Sequence, residues 1–231
     1  ATPYAPSATS LNGAIFPLGN TLVTWTASQT INGTLYSNTC TQYIYVEDNQ
    51  APSITAPADI TTTTNSGCYA NPVNLGTPVT SDNCGGTITV WNNTDGYTNY
   101  WGFPIGTTTV TWYAEDQYGN IASDTQTVTV TDDDAPSISC PGSICRQVDD
   151  GQNYYTVYDH EFNPYGVWDC SGPVTMTHNI QTSNPGTLPY APSASTLAGA
   201  KIDVNTTSVT WTVTDAASNS TSCTIILDIN T

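Results

Sequence analysis

At 231 residues the chain has room for one large domain or for two to three sandwich-sized ones of roughly 100 residues each. A formal charge of -17, from 19 acidic residues against only Lys201 and Arg146, repels phosphate backbones and excludes nucleic acid as a partner. Threonine, serine, asparagine, glycine and proline dominate and helix formers are scarce, so the expected elements are strands. No run approaches the roughly 20 apolar residues of a membrane span.

The first strand pattern lies in FPLGNTLVTWTAS from Phe16. It returns as FPIGTTTVTWYAED from Phe103 and, more weakly, as KIDVNTTSVTWTVTD from Lys201. Trp25, Trp112 and Trp211 mark the same point in each copy, and self-similarity of this kind signals a tandem array. A second block opens only two copies, as EDNQAPSITAPADI from Glu47 and DDDAPSISCPGSI from Asp132. PYAPSATSLNGA from Pro3 and PYAPSASTLAGA from Pro189 make the first and third copies resemble each other most. The expected domains are therefore a partial unit over 1–47 and two full units over 48–132 and 133–231.

Within a copy the pattern alternates and turns often, as a sandwich requires. Val110, Trp112 and Ala114 share one parity and Thr109, Thr111 and Tyr113 the other, which puts Trp112 on the core face. Val128 and Val130 point inward from the closing strand, as do Ile225 and Leu227, and Gly119-Asn120 marks the turn between the last two strands. The first unit holds only a closing half. Half a sandwich exposes strand edges and a bare core, so another segment is expected to complete it. Either the polypeptide continues upstream, or a neighbouring subunit donates strands and the chains self-assemble head to tail.

The second unit carries APxI at 51–54, Gly67-Cys68, Asp82-Asn83-Cys84, FPxGTTTVT at 103–111 and, at 114–120, an acidic turn ending in Gly119-Asn120. In this order the motifs resemble the hyalin repeat, or HYR, domain, and the resemblance extends over nearly the whole chain. The third unit departs from it, with 201–205 replacing FPxG, Asp169-Cys170 replacing DNC and Ser218-Asn219 replacing GN. The resemblance implies an all-β fold of tandem immunoglobulin-like β-sandwich domains. It also implies an extracellular protein, secreted or at the cell surface, concerned with adhesion and not with catalysis, and the half repeat adds the expectation of a building block of a fibre or filament.

Seven cysteines without zinc-like spacing indicate an oxidising compartment. On the repeat frame Cys68 is expected to join Cys84, Cys145 to join Cys170, and Cys140 to join Cys223. The second unit has Ala56 where Cys140 stands and no cysteine near Ser123, so both members of that last pair are absent together. Cys40 matches Cys223, and its partner is expected outside the chain's own opening strands.

Near-absence of cations leaves the carboxylates without side-chain partners, which favours a divalent ion where they converge. Glu47-Asp48-Asn49 and Asp132-Asp133-Asp134 each precede Ala-Pro at a junction, in an arrangement similar to cadherin linkers, where calcium stiffens the joint. Glu115 and Asp116 complete the expected calcium ligands; the plainer alternative is a solvated acidic linker. His160 and His178 have no nucleophile or third ligand near them in sequence, and no catalytic residues are expected. Trp91, Tyr97, Tyr100 and Trp101, with Tyr154, Tyr155, Tyr158, Tyr165 and Trp168, suit either loop packing or stacking on glycans. The second role would make the chain a carbohydrate-binding accessory region of a larger secreted protein. Asn32, Asn92, Asn205 and Asn219 head N-glycosylation acceptor sequences.

Overall fold

The computed structural model describes residues 10–65, 67–94, 102–182 and 193–231. Among them every regular element is a strand, and no helix is long and apolar enough to cross a membrane. The first two strands are β1 (Gly19–Ile31) and β2 (Thr34–Val46). Then come β3 (Ser53–Thr55), β4 (Ile60–Thr63), β5 (Tyr69–Ala70), β6 (Val79–Ser81), β7 (Thr89–Asn92), β8 (Phe103–Pro104), β9 (Gly106–Glu115) and β10 (Ile121–Thr131). The last eight are β11 (Ser137–Ser139), β12 (Ile144–Gln147), β13 (Tyr154–Thr156), β14 (Tyr165–Trp168), β15 (Thr175–Thr182), β16 (Lys201–Asp203), β17 (Asn205–Thr214) and β18 (Ser220–Asn230). The chain divides into two compact units, one of Ala1–Ala56, Pro78–Trp91 and Trp112–Asp124, the other of Pro57–Thr77, Asn92–Thr111 and Thr125–Thr231.

Strands β11 to β18 form an immunoglobulin-like sandwich. One sheet has the order β12-β18-β17-β15, with β12 parallel to β18 and the other neighbours antiparallel. Strands β11 and β14 pair, as do β13 and β16. Alternation drives the packing: Val209, Trp211 and Val213 are fully buried, as are Ile225, Leu227 and Ile229 on the facing strand. Tyr155, Val157, Phe162, Leu197 and Ile202 close the core from other elements. Each such side chain contributes roughly 1.5–3 kcal/mol of burial. Cys140, just past β11, bonds Cys223 on β18 as the repeat frame predicts.

Strands β3 to β10 follow the same plan one for one. The order β4-β10-β9-β7 mirrors β12-β18-β17-β15, β4 runs parallel to β10, and β3–β6 and β5–β8 pair antiparallel. Val110, Trp112, Ala114, Val128 and Val130 are buried, on the face their parity assigns. Where the third repeat has the Cys140–Cys223 bridge, the second has a hydrogen bond: the Ala56 N–H donates to the Asp124 carboxylate at 2.8 Å. Asp124 stands at the same distance from Trp112 as Cys223 does from Trp211.

Strands β1 and β2 pair from Gly19 opposite Val46 to Ile31 opposite Thr34. Asn32 and Gly33 join them, both at positive φ, which is the two-residue turn whose twist suits a hairpin. Trp25 faces Cys40 across this pair just as Trp211 faces Cys223. The two strands are thus the equivalents of β9–β10 and β17–β18, yet no third described strand bonds to them. Val209, Trp211 and Leu227 are sealed, whereas Val23, Trp25 and Ile44 at the matching positions are only half-buried and Cys40 is exposed. A shallow hollow of about 180 Å³ lies over Trp25, Ala27, Asn38, Thr39 and Cys40. Leu22, Leu35, Tyr36, Tyr43 and Tyr45 are exposed as well. A lone two-stranded ribbon is marginal in water, and among the described residues no strand covers the core face of this one.

Candidate functional site

The linker ahead of β3 alternates like a strand, turning Glu47 and Asn49 outward and Asp48 inward. Carboxylate oxygens of Asp48 and Asp82 and the Cys84 thiol come within 4.8 Å of one another. Local turns aim these groups: the Gln50 N–H donates to Asp48 and the Cys84 N–H to Asp82. In the β9–β10 turn, Asp116 accepts the Tyr118 and Asn120 N–H groups and one N–H of the Asn120 side-chain amide. The same amide donates to the Asp48 carbonyl at 3.2 Å, fastening linker to turn. Burial pushes the Asp116 carboxyl up, but these hydrogen bonds outweigh it and hold the group below its ordinary value. Burial, followed by the Asp48 carboxylate, pushes the Cys84 thiol up.

The third repeat builds the arrangement again. Carboxylate oxygens of Asp132, Asp169 and Asp215 lie within 4.8 Å of one another. The Ser171 N–H and hydroxyl donate to Asp169 at 2.7 and 2.6 Å, and the Asp134 N–H donates to Asp132. Asn219 repeats the clamp, its Nδ2 donating to the Asp132 carbonyl at 3.3 Å and to Asp215 at 3.0 Å. Ser218 takes the positive φ that Gly119 takes in the sister turn. Oδ2 of Asp48, Asp82 and Asp132 is buried without any hydrogen-bond partner. Both cationic side chains are engaged elsewhere, Arg146 with Glu161 and the Phe162 ring, Lys201 over the Tyr154 ring.

Of the expected ligands, Asp48 and Asp132 stand in these groups, and Asp116 supports the first through Asn120. Glu47, Asn49, Glu115, Asp133 and Asp134 lie outside both; Glu47, Asn49, Asp133 and Asp134 are exposed, and Asp133 and Asp134 accept from the Thr64 hydroxyl. Sequence reasoning missed Asp82, Asp169 and Asp215. Their signal was present: Asp116 and Asp215 each follow the repeat tryptophan by four residues, and Asp82 and Asp169 sit in the paired DNC and DC motifs.

Two expected disulfides are corrected. Cys68 bonds Cys170 and not Cys84, while Cys84 and Cys145 are exposed free thiols. The Cys84 thiol is turned into the acidic group beside Asp48 and Asp82. Cys145 lies on the outer face of β12, between Ile144 and Arg146, which turn the other way. Cys40 is a free, exposed thiol. Asn32 and Asn205 are exposed, Asn92 accepts from Thr94, and Asn219 is engaged in its clamp. Tyr97, Tyr100 and Trp101 lie outside the described residues. Trp91 stacks on Tyr113 with ring centroids 5.4 Å apart; Tyr155 belongs to the core, and Tyr158, Tyr165 and Trp168 are exposed.

The family model for the HYR domain matches residues 47–130, the segment that holds β3 to β10 and the first acidic group. The chain carries a HYR domain. Over 229 residues it is 30% identical to hyalin of Strongylocentrotus purpuratus, covering 96% of this chain and 17% of that protein. Over 235 residues it is 31% identical to hyalin of Lytechinus variegatus, covering 99% of this chain and 40% of that protein. The chain therefore spans less than half the length of either relative. Among solved structures, the extracellular cadherin domains 1–5 of protocadherin gamma B2 superpose with a TM-score of 0.47 at 12% identity, over 92% of this chain and 45% of that one. The first two cadherin domains of human mucin-like protocadherin give 0.44 at 12% identity, over 78% and 98%. The HYR match and the one-for-one strand plan of β11 to β18 rest on the same residue pattern, read twice along the chain.

Proposed function

We propose that this HYR protein is an extracellular structural or adhesive building block of a fibre or filament, secreted or cell-surface, without catalytic function. In this reading the modules at 48–132 and 133–231 are stiffened by disulfides and by calcium at the junctions that carry Asp48 and Asp132. The strand pair within 1–47 is completed by the opening half of another HYR segment, either upstream in the polypeptide or on a neighbouring copy in a head-to-tail array. The carrying observation is the β1–β2 pair, whose core face is half-open where β17–β18 is sealed. The occupant follows from the sister repeats: a strand running parallel to β2 as β12 runs to β18, and an opening-strand cysteine to meet Cys40 as Cys140 meets Cys223. The two disulfides, and hyalins as the relatives, support the extracellular setting.

Non-reducing peptide mapping of natively produced material checks the assignment. Cys40 is expected in a disulfide with a cysteine of an APxIxC-type strand. A ladder of covalent multimers that collapses on reduction identifies a neighbouring copy as the donor, and a single covalent species identifies the upstream segment. A free Cys40 thiol in assembled material would overturn the reading.

A further inference from the structure

The junction ahead of β11 supports a more specific statement, which rests on the calcium part of that reading. Three carboxylates converge in the third repeat, and among the described residues no cationic side chain lies with them. Asp132 is 9% exposed, and its Oδ2 has no hydrogen-bond partner although it is buried beside two further acids. A buried carboxylate oxygen facing like charges is costly unless a cation or a proton joins it. Its neighbours are held in place beside it: Asp169 accepts two hydrogen bonds from Ser171, and Asp215 accepts two from Asn219.

The framework is fixed before any ion arrives. Asp169 adjoins Cys170, which is tied to Cys68, and Asn219 holds the Asp132 backbone against the Asp215 turn. We propose that Asp132, Asp169 and Asp215 together bind one calcium ion at the mouth of the third sandwich, with Asn219 as the positioning residue that brings linker and turn together. All three donors are hard oxygens. They come from three separate segments, and the roughly six to eight oxygen ligands calcium accepts in flexible geometry leave room for water beside them, where magnesium demands a near-ideal octahedron. The sister group differs in one donor, since Cys84 supplies a thiol where the third repeat supplies a third carboxylate. Thiols suit hard cations poorly, so the third-repeat group is the stronger calcium site of the two.

The test uses the full chain, stripped with EDTA, titrated with calcium chloride by calorimetry and with terbium by luminescence excited through tryptophan. Trp168 precedes Asp169 and Trp211 lies four residues before Asp215, so terbium in this group is expected to be sensitised. Asp169→Asn and Asp132→Asn are expected to remove one binding equivalent or weaken it at least tenfold. Asp133→Asn and Asp134→Asn, on exposed neighbours, are expected to leave it unchanged. Circular dichroism in calcium-free buffer confirms that each variant folds. Calcium binding that persists undiminished in both Asp169→Asn and Asp132→Asn overturns the ligand assignment while junction calcium stands. Absence of binding at millimolar calcium overturns both. Displacement of terbium by magnesium as readily as by calcium overturns the choice of ion.

Discussion

Trp211→Ala is expected to destabilise the third sandwich by about 3 kcal/mol, while Trp25→Ala in the same chain is expected to cost less than about 1 kcal/mol. Removing a fully buried tryptophan costs about 3–5 kcal/mol through lost burial and the cavity left behind. Trp211 belongs near the lower end, because its indole N–H is buried without an acceptor and its loss relieves that penalty. What it does lose is the contact with the surrounding core and the His178 ring, which meets it edge-on at 5.0 Å. Trp25 occupies the same position of the same strand pair but is half-buried, so water already occupies much of the space a cavity would create. Urea denaturation of the two single variants measures the difference. Equal losses at the two tryptophans would show that β1–β2 already has a sealed core.

The second large effect concerns the bridge that closes the third sandwich. Cys140 and Cys223 are separated by 83 residues, and in the chain-entropy treatment a loop of this size contributes about 4–5 kcal/mol. The double variant Cys140→Ala/Cys223→Ala is therefore expected to lose most of that repeat's stability, read as a fall in its urea midpoint. The second repeat indicates what a bridge-free sandwich needs instead. There the Asp124 carboxylate accepts the Ala56 N–H, and the buried Gln126 amide donates to the Ala58 and Leu75 carbonyls. The bonds to Ala56 and Ala58 hold the opening segment to the closing strand, the task the disulfide performs in the third. A loss below about 1 kcal/mol in the double variant would mean that β11 is held by packing alone.

Much of this architecture can be read from the residue order, because its driving forces are periodic. Threonine alternating with valine around Val110 and Val209 assigns the buried face, and two opening blocks against three tryptophan blocks point to the half repeat. Cys140 and Cys223 were legible as a pair because the second repeat lacks both. The acidic groups were not. Asp132, Asp169 and Asp215 are far apart in sequence and meet only when three loops gather at one end of the sandwich. A run of adjacent acids is the more conspicuous signal, but strand parity turns most of such a run toward water and leaves one carboxylate inward, Asp48 in one linker and Asp132 in the other. The Cys68–Cys170 bond was hidden for a related reason. Matching cysteines between repeats presumes that each pair closes within its own repeat, whereas this bridge joins one repeat to the next.

Hydrogen exchange resolved by mass spectrometry tests most directly whether β1–β2 is an open half-sandwich. In the purified chain, amides of β1 and β2 around Trp25 and Cys40 are expected to exchange orders of magnitude faster than those around Trp211 and Cys223, since among the described residues only the latter have neighbouring strands and a covering layer. Protection of the first pair is expected to rise toward the second in assembled material. Equal, strong protection of both pairs in the isolated chain would contradict the account.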